Sequence, residues 1–259
     1  MRTLLERLSR QRSFVRRLPA SFDRLPIIVS PDSQLKYLKP GTAGFDRNLL
    51  EAAIQLVQTG DNVWDIGANV GVFTIASAAR SRTGQIVAVE ADIWLANLIR
   101  RTSRLPANAG FNIAVVPVAA SSTAGVATFT IAARGRASNH LTNVPGNSQA
   151  GGVRETVDVA TLPLDILLAH YPPPNVVKMD VEGAEVEVLK GMSQILEKVR
   201  PILYCEVNET NREQFLEILK AFEYTARNLH TKGGQAHIEF NMVYEPRERR
   251  FFGAGLAAS

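Results

Sequence analysis

The feature that most constrains the fold is an alternation of short apolar segments with amphipathic helical segments. The pattern predicts strands over residues 62–66, 85–90 and 112–117, with helices over 71–80 and 92–104 between them. Strands that alternate with helices in this way form a parallel sheet covered by helices on both faces. We therefore expect a doubly wound α/β fold.

The alternation stops at one point and then resumes. Residues 126–131 and 154–159 predict two inserted strands joined by a polar segment, 132–153. A loop longer than about 12–15 residues is usually functional or disordered. The elements predicted elsewhere are a helix before the first strand at 49–57, a helix at 162–170, a strand at 175–180, a helix at 184–190, a strand at 202–206, a helix at 212–222, and closing strands at 224–228 and 237–244.

The first 44 residues have a different character from the rest of the chain. Residues 1–18 place leucine and valine at helical spacing between arginines, which predicts a basic helix, and residues 27–29 predict a short extended piece. Such a helix either lies on an anionic membrane or a partner, or packs one face on the main domain. We divide the chain into an N-terminal extension, 1–44, and one large domain, 45–259.

Composition limits the classes of function. The chain has 259 residues and a formal charge of +4, from 29 Lys and Arg against 25 Asp and Glu, which is too small a surplus to indicate a nucleic-acid partner. Cys205 is the single cysteine, and no apolar stretch of about 18 residues occurs. No signal peptide is apparent in the sequence. We expect a cytoplasmic protein, with peripheral membrane contact through the basic N-terminus left open, as is the oligomeric state.

The most informative stretch is 63–71, which reads VWDIGANVG. An apolar strand ends near an acid, a glycine-containing turn follows, and a helix begins. Ligands of open parallel sheets bind at the carboxyl ends of the strands, and a glycine there lets the backbone approach a ligand closely. The predicted cofactor-binding residues are Asp65, Gly67, Asn69, Gly71 and Glu90.

The position of Glu90 indicates a ligand that contains a ribose. It ends the next predicted strand, 25 residues after Asp65, near the offset of about 20 typical of a ribose-binding acid. The spacing of the dinucleotide fingerprint is absent, because Asn69 stands between Gly67 and Gly71, and the Asp65 carboxylate would repel a pyrophosphate. A cofactor with sulfonium and ammonium groups suits that acid better. The sequence favours S-adenosylmethionine over NAD.

Several stretches together resemble the FkbM family of methyltransferases. They are 63–71 followed by Thr74, 89–90, the run KMDVEGAE at 178–185 followed by Val188, Leu189 and Gly191, and Arg200 and Pro201 leading to Glu206. The resemblance covers roughly 45–244, and the Lys-x-Asp-x-Glu-Gly-x-Glu run is its most specific part.

The resemblance implies a class I, Rossmann-like methyltransferase fold with a mostly parallel seven-stranded sheet and an antiparallel last strand. It implies an O-methyltransferase acting on a small-molecule or glycosidic hydroxyl, in a sugar, glycolipid, polyketide or other secondary metabolite. Residues 161–165 read TLPLD where the family more often has Thr-Leu-Asp, and the segment 132–153 is individual. We expect that segment to determine which acceptor is bound.

Methyl transfer to an alcohol requires a base or a metal to remove the proton. Asp180 and Glu182 follow a buried strand at the crevice, and His140 lies in the polar segment, so these three are the catalytic candidates. Two carboxylates as close as Asp180 and Glu182 either raise the pKa of one of them or hold a divalent cation. Glu182 and Glu185 are also candidates for capping the next helix at its positive end. We name no metal ligands, since no firm third ligand can be identified.

Three other interpretations of the function remain open. One is an N-methyltransferase, and another is an NAD-dependent oxidoreductase, which the missing glycine disfavours. The third is a methyltransferase fold retained as a non-catalytic binding module. The presence of Asp65, Gly67, Glu90 and Asp180 together disfavours the last reading.

Overall fold

The computed structural model describes residues 8–142, 151–229 and 241–248. Its main feature is a seven-stranded sheet built from the alternating pattern. The strands of that sheet are β3 (Val63–Ile66), β4 (Ile86–Val89), β5 (Ile113–Val116), β10 (Val176–Met179), β11 (Ile202–Glu206), β12 (Tyr224–Arg227) and β13 (Asn241–Pro246).

The order of strands across the sheet is β12-β13-β11-β10-β3-β4-β5. Neighbours are parallel from β11 to β5, and β13 is antiparallel to both β11 and β12. The expected doubly wound sheet with an antiparallel last strand is confirmed. The predicted last strand began at 237, and residues 230–240 lie outside the described part of the chain.

Helices cover both faces of the sheet. They are α1 (Arg47–Leu56), α2 (Val72–Ser81), α3 (Ile93–Ser103), α4 (Glu185–Lys190) and α5 (Arg212–Ala221). Successive strand residues point to opposite faces, so Val63 packs in the core beneath α1, α2 and α3, whereas Trp64 packs in the core beneath α4 and α5. The helix predicted over 162–170 is a 3₁₀ helix, Leu164–Ala169, which begins after Pro163.

The insertion is a separate four-stranded sheet rather than a strand pair. Its strands are β6 (Ala119–Ala120), β7 (Gly125–Ala132), β8 (His140–Leu141) and β9 (Val153–Leu162), in the order β6-β9-β7-β8. The predicted polar segment therefore contains structure: a 3₁₀ helix, Arg136–Ser138, and β8. Residues 143–150 lie outside the described part.

The N-terminal prediction is wrong in part. Residues Phe14–Arg17 form β1, which pairs antiparallel with β2 (Pro26–Val29), so no helix extends to Leu18. Pairing with a strand that begins nine residues after β1 ends overrides the helical spacing of the side chains. Val15 faces solvent, whereas Leu18 is buried in the same core as Val63. Residues 1–7, which carry part of the predicted helix, lie outside the described part.

No helix in the described ranges is both long and apolar enough to cross a membrane.

Candidate functional site

Two cavities open at the carboxyl ends of β3, β4 and β10. The first cavity is open to solvent and is lined by both polar and apolar side chains, a mixture typical of ligand sites. Residues immediately after the three strands form part of its wall. Its lining includes Ile66, Gly67, Asn69, Val89, Glu90, Ala91, Leu95, Val118, Phe129, Arg136, Ala137, Asn139, Leu141, Asp180, Val181 and Glu182.

Asp65 lies beneath the turn and not in the wall of the first cavity. Its side chain is fully buried, accepts a 2.6 Å hydrogen bond from Thr74 Oγ1, and has Lys178 Nζ 3.3 Å from Oδ1. Lys178 also donates to the carbonyl oxygen of Gly67 at 2.7 Å and lies 3.7 Å from Asp180. Burial lowers the pKa of Lys178, but Asp65 and Asp180 outweigh it and the net pKa is raised. A charged lysine therefore ties together the strand, the turn and Asp180.

The two glycines of the turn meet specific backbone requirements. Gly67 has φ of +70°, and a Cβ there would overlap the carbonyl oxygen of Asp180. Gly71 has φ of +86° at the N-cap of α2, and a Cβ there would lie 3.2 Å from the side chain of Ile99. The predicted importance of both glycines thus has a steric cause: they let β3, β10 and α3 approach closely.

Glu90 and Asn69 form one corner of the first cavity. Glu90 accepts hydrogen bonds from the backbone nitrogens of Asn69, at 2.6 Å, and of Asp92, at 2.9 Å. Asn69 adopts φ of +55°, and its Oδ1 accepts from Ser33 Oγ at 2.6 Å. Glu90 is 7% exposed, and burial raises its pKa to about 8 despite these hydrogen bonds. The corner holds a carboxyl group at the position that the sequence indicates for a ribose contact.

A buried ion network holds the insertion against this corner. Arg136 donates to Asp92 Oδ2 at 2.5 Å and to Asp32 Oδ2 at 3.2 Å, and its guanidinium lies 5.0 Å from the centroid of the Trp94 ring. Asn139 donates to the same Asp92 oxygen at 2.8 Å. Since Arg136 and Asn139 also line the first cavity, the network fixes one wall of it.

Sequence reasoning did not find Arg136, Asn139 or Asp32. Asp92 carries one local signal, because its Oδ1 accepts from the backbone nitrogens of Trp94 and Leu95 and so caps α3. The remaining contacts join residues 44 or more positions apart, and local periodicity does not report those.

The second cavity adjoins the first and has a volume of about 220 Å³. Asn69, Ala137, Asp180 and Glu182 belong to both linings. Its other lining residues are Gln34, Lys36, Tyr37, Asp46, Leu49, Ala68, Val70, Val72, Phe73, Ser138, Lys178, Tyr204, Glu206 and Asn241. Asp180 and Glu182 thus lie where a molecule in one cavity would meet a molecule in the other.

The carboxyl groups at this junction have perturbed acidity. Burial raises the pKa of Glu182 to about 8, and the charges of Asp180, Glu206 and Glu185 add to the effect. Partial removal from water raises the pKa of Glu206 to about 7, with Asp180 the next cause. Glu182 also has φ of +49°, a strained conformation of the kind found at functional sites. A group with a pKa near neutral is suited to accept a proton.

Glu185 has a structural position beside this junction. Its carboxylate accepts from the backbone nitrogen of Gly183 at 2.7 Å and from Asn211 Nδ2 at 2.7 Å. Glu185 therefore secures the turn that carries Glu182.

His140 is not in the lining of either cavity. Its neighbours Asn139 and Leu141 line the first cavity, whereas the Nδ1 atom of His140 lies 3.0 Å from the carbonyl oxygen of Ser138. Its predicted catalytic role stays a prediction. Among residues 8–142, 151–229 and 241–248, no group of three His, Cys, Asp or Glu side chains is placed to hold a metal ion.

The sheet order and the turn after its central strand define a Rossmann-like, class I methyltransferase fold. A family model described as "Methyltransferase FkbM domain" matches residues 65–229, and the chain belongs to this family. The resemblance inferred from the motifs is confirmed.

Individual proteins give more distant similarities. The Hexuronic acid methyltransferase AglP of Haloferax volcanii is 27% identical over 166 residues. The match covers 61% of this chain, and the chain spans 61% of the length of that relative. The FkbM methyltransferase structure from Methylobacillus flagellatus is 17% identical, with a TM-score of 0.49 over 72% of this chain and 43% of that one. The structure of a predicted O-methyltransferase from Agrobacterium tumefaciens is 17% identical, with a TM-score of 0.43 over 76% of this chain and 77% of that one.

Proposed function

We propose that the protein transfers a methyl group from S-adenosylmethionine to a hydroxyl of a carbohydrate, free or in a glycolipid. One observation carries the proposal: two adjoining cavities share Asp180 and Glu182 at their junction. A methyl donor in one cavity and an acceptor in the other would meet beside a proton-accepting group. Family membership supports the methyl transfer, and the name of the haloarchaeal relative supports a sugar acceptor.

The lining of the first cavity suits the chemical groups of the proposed cofactor. Apolar side chains, among them Val89, Leu95 and Phe129, suit an adenine ring, and Glu90 at the corner would accept hydrogen bonds from the ribose hydroxyls. When bound, S-adenosylmethionine supplies an electrophilic methyl group. The chain's own part is to hold that group at the junction and to exclude water from it.

Glu182 is the group best suited to take the acceptor's proton. Asp180 is already engaged by Lys178 at 3.7 Å, whereas the pKa of Glu182 is raised to about 8. In the proposed step, the hydroxyl proton moves to the Glu182 carboxylate. The oxygen forms a bond to the methyl carbon as the bond from that carbon to sulfur breaks, which leaves S-adenosylhomocysteine.

The test measures S-adenosylhomocysteine release with a panel of methyl glycosides, and with amines as the acceptors of an N-methyltransferase. We expect the parent to act on hydroxyls. Glu182→Gln should lower kcat by about 10²–10⁴-fold while the Kd for S-adenosylmethionine stays within about twofold. Glu197→Gln, at an exposed position outside both linings, is the matched control. A parent that binds the cofactor and methylates no hydroxyl would contradict the proposal.

A further inference from the structure

The described lining of the second cavity carries more negative than positive groups. Four carboxyl side chains and two lysines belong to it: Asp46, Asp180, Glu182, Glu206, Lys36 and Lys178. An acceptor that enters this cavity would therefore meet an acidic surface, although the chain as a whole has a charge of +4.

Both of these lysines already have carboxylate partners. Lys36 Nζ lies 3.5 Å from Asp46 Oδ2, and Lys178 lies between Asp65 and Asp180 at 3.3 and 3.7 Å. Among the described lining residues, an ion pair to a new anion would have to draw a lysine from a carboxylate that it already pairs with. Transfer of Lys178 would also leave the fully buried Asp65 without its cation, which is costly.

Repulsion between the carboxyl groups contributes to their raised pKa values. Besides burial, the causes of the raised pKa of Glu182 include the charges of Asp180 and Glu206. Asp180 and Asp46 act in the same direction on Glu206. A carboxylate on the acceptor would add one more negative charge to this group, and like charges brought together at a binding site cost affinity.

Within the described part of the chain, two neutral polar atoms of residues in the same lining have no hydrogen-bond partner. The hydroxyl of Tyr204 and the Oε1 atom of Gln34 are buried, and in the described part of the chain neither has a hydrogen-bond partner. Tyr204 is 1% exposed, and its hydroxyl can both donate and accept, as a sugar hydroxyl can. Buried polar atoms are normally satisfied, so a ligand hydroxyl that reaches either atom would supply the missing hydrogen bond.

We infer that the second cavity selects an uncharged, hydroxyl-rich acceptor and discriminates against one that carries a carboxylate. The inference rests on the proposed function and specifies its substrate class. It sets this chain apart from its haloarchaeal relative, whose name specifies hexuronic acid.

Matched glycosides test the charge alone. Methyl glycosides of the gluco, galacto and manno series are compared as the C6 carboxamide and the C6 carboxylate, which have nearly the same shape. At about pH 9, above the pKa values of Glu182 and Glu206, we expect kcat/KM for the best carboxamide to exceed that for its carboxylate by about tenfold or more. A carboxylate that reacts as well as the carboxamide would overturn the inference.

Two variants assign the selectivity to this lining. Glu206→Gln should raise kcat/KM for the carboxylate several-fold and change that for the carboxamide less, whereas Glu197→Gln should leave their ratio unchanged. Tyr204→Phe should raise KM for the carboxamide. An unchanged ratio in Glu206→Gln would overturn the inference, even with the proposed function intact. A parent that binds S-adenosylmethionine and methylates no carbohydrate contradicts the proposed function itself, and the inference falls with it.

Discussion

Lys178 and Asp65 face each other in register on the neighbouring central strands β10 and β3, with Nζ 3.3 Å from Oδ1. One residue comes from the Lys-x-Asp-x-Glu run and the other from the turn motif more than a hundred residues earlier. Their contact explains why both motifs occur in one chain, since the lysine of the second motif neutralises the buried acid of the first. The same ammonium also holds the carbonyl oxygen of Gly67, and with it the turn.

Loss of this lysine should destabilise the protein strongly. Lys178→Met leaves Asp65 buried without a cation, and removal of one member of a buried pair costs about 3–5 kcal/mol. Urea unfolding monitored by circular dichroism measures the change. Lys190→Met is the control, since Lys190 pairs with Glu187 on the surface and should contribute no more than about 1 kcal/mol. Equal losses in the two variants would show that the buried pair has no special role.

The turn should not tolerate a side chain at position 67. Gly67→Ala places a Cβ against the carbonyl of Asp180 at a φ of +70°, so β3 and β10 must separate or the turn must rearrange. We expect a weaker Kd for S-adenosylmethionine by about tenfold or more, or loss of folding, seen by calorimetry and circular dichroism. Gly110→Ala is the matched control, because a Cβ there meets nothing within 4 Å. Wild-type affinity in Gly67→Ala would contradict this structure of the turn.

The insertion should lose its attachment when Arg136 is replaced. Arg136→Met leaves Asp92 without its arginine and loosens the wall that Arg136 and Asn139 contribute to the first cavity. We expect faster proteolysis within the insertion and a weaker Kd for S-adenosylmethionine by about tenfold. The control is Arg227→Met, which removes a half-exposed surface pair with Glu245. Unchanged proteolysis and affinity in Arg136→Met would show that the network does not hold the wall.

Stability should fall as the pH rises from about 5 to about 8. The pKa of Glu90 is raised from 4.5 to about 8, so the folded protein binds a proton that the unfolded chain has released across this window. Each such group contributes a slope of up to about 1.4 kcal/mol per pH unit. Glu90→Gln should make the decline shallower in urea unfolding at a series of pH values. Identical slopes in Glu90→Gln and in the control Glu197→Gln would contradict the raised pKa.

Local patterns were enough to predict the sheet and the position of its ligand edge. The apolar strands of 63–66, 86–89 and 176–179 are each bounded by turn signals, so periodicity finds them without knowledge of the fold. The same signals identified Asp65 near the end of the first of these strands and the two glycines that follow it. Contacts between residues far apart in the sequence, which depend on the topology of the sheet, could not be predicted in this way. The ion pair of Asp65 with Lys178, which depends on the register of β3 and β10, was not predicted, and the expected contact of Asp65 with the cofactor stays a prediction.

The N-terminal segment and the insertion show the other limit of sequence reasoning. The helical spacing around Val15 is real, yet pairing of β1 with β2 determines the structure there. The segment predicted as a polar loop is held by Arg136, whose partner Asp32 lies 104 residues away. Long-range ion pairs of this kind leave no periodic signal.

The most direct test of the account is calorimetric titration of S-adenosylmethionine into the parent, Glu90→Ala and Glu197→Ala. We predict micromolar binding in the parent and in Glu197→Ala, and a loss of about tenfold or more in Glu90→Ala. No binding in the parent, with or without acceptor, would contradict the assignment of the first cavity to this cofactor, and with it the proposed methyl transfer.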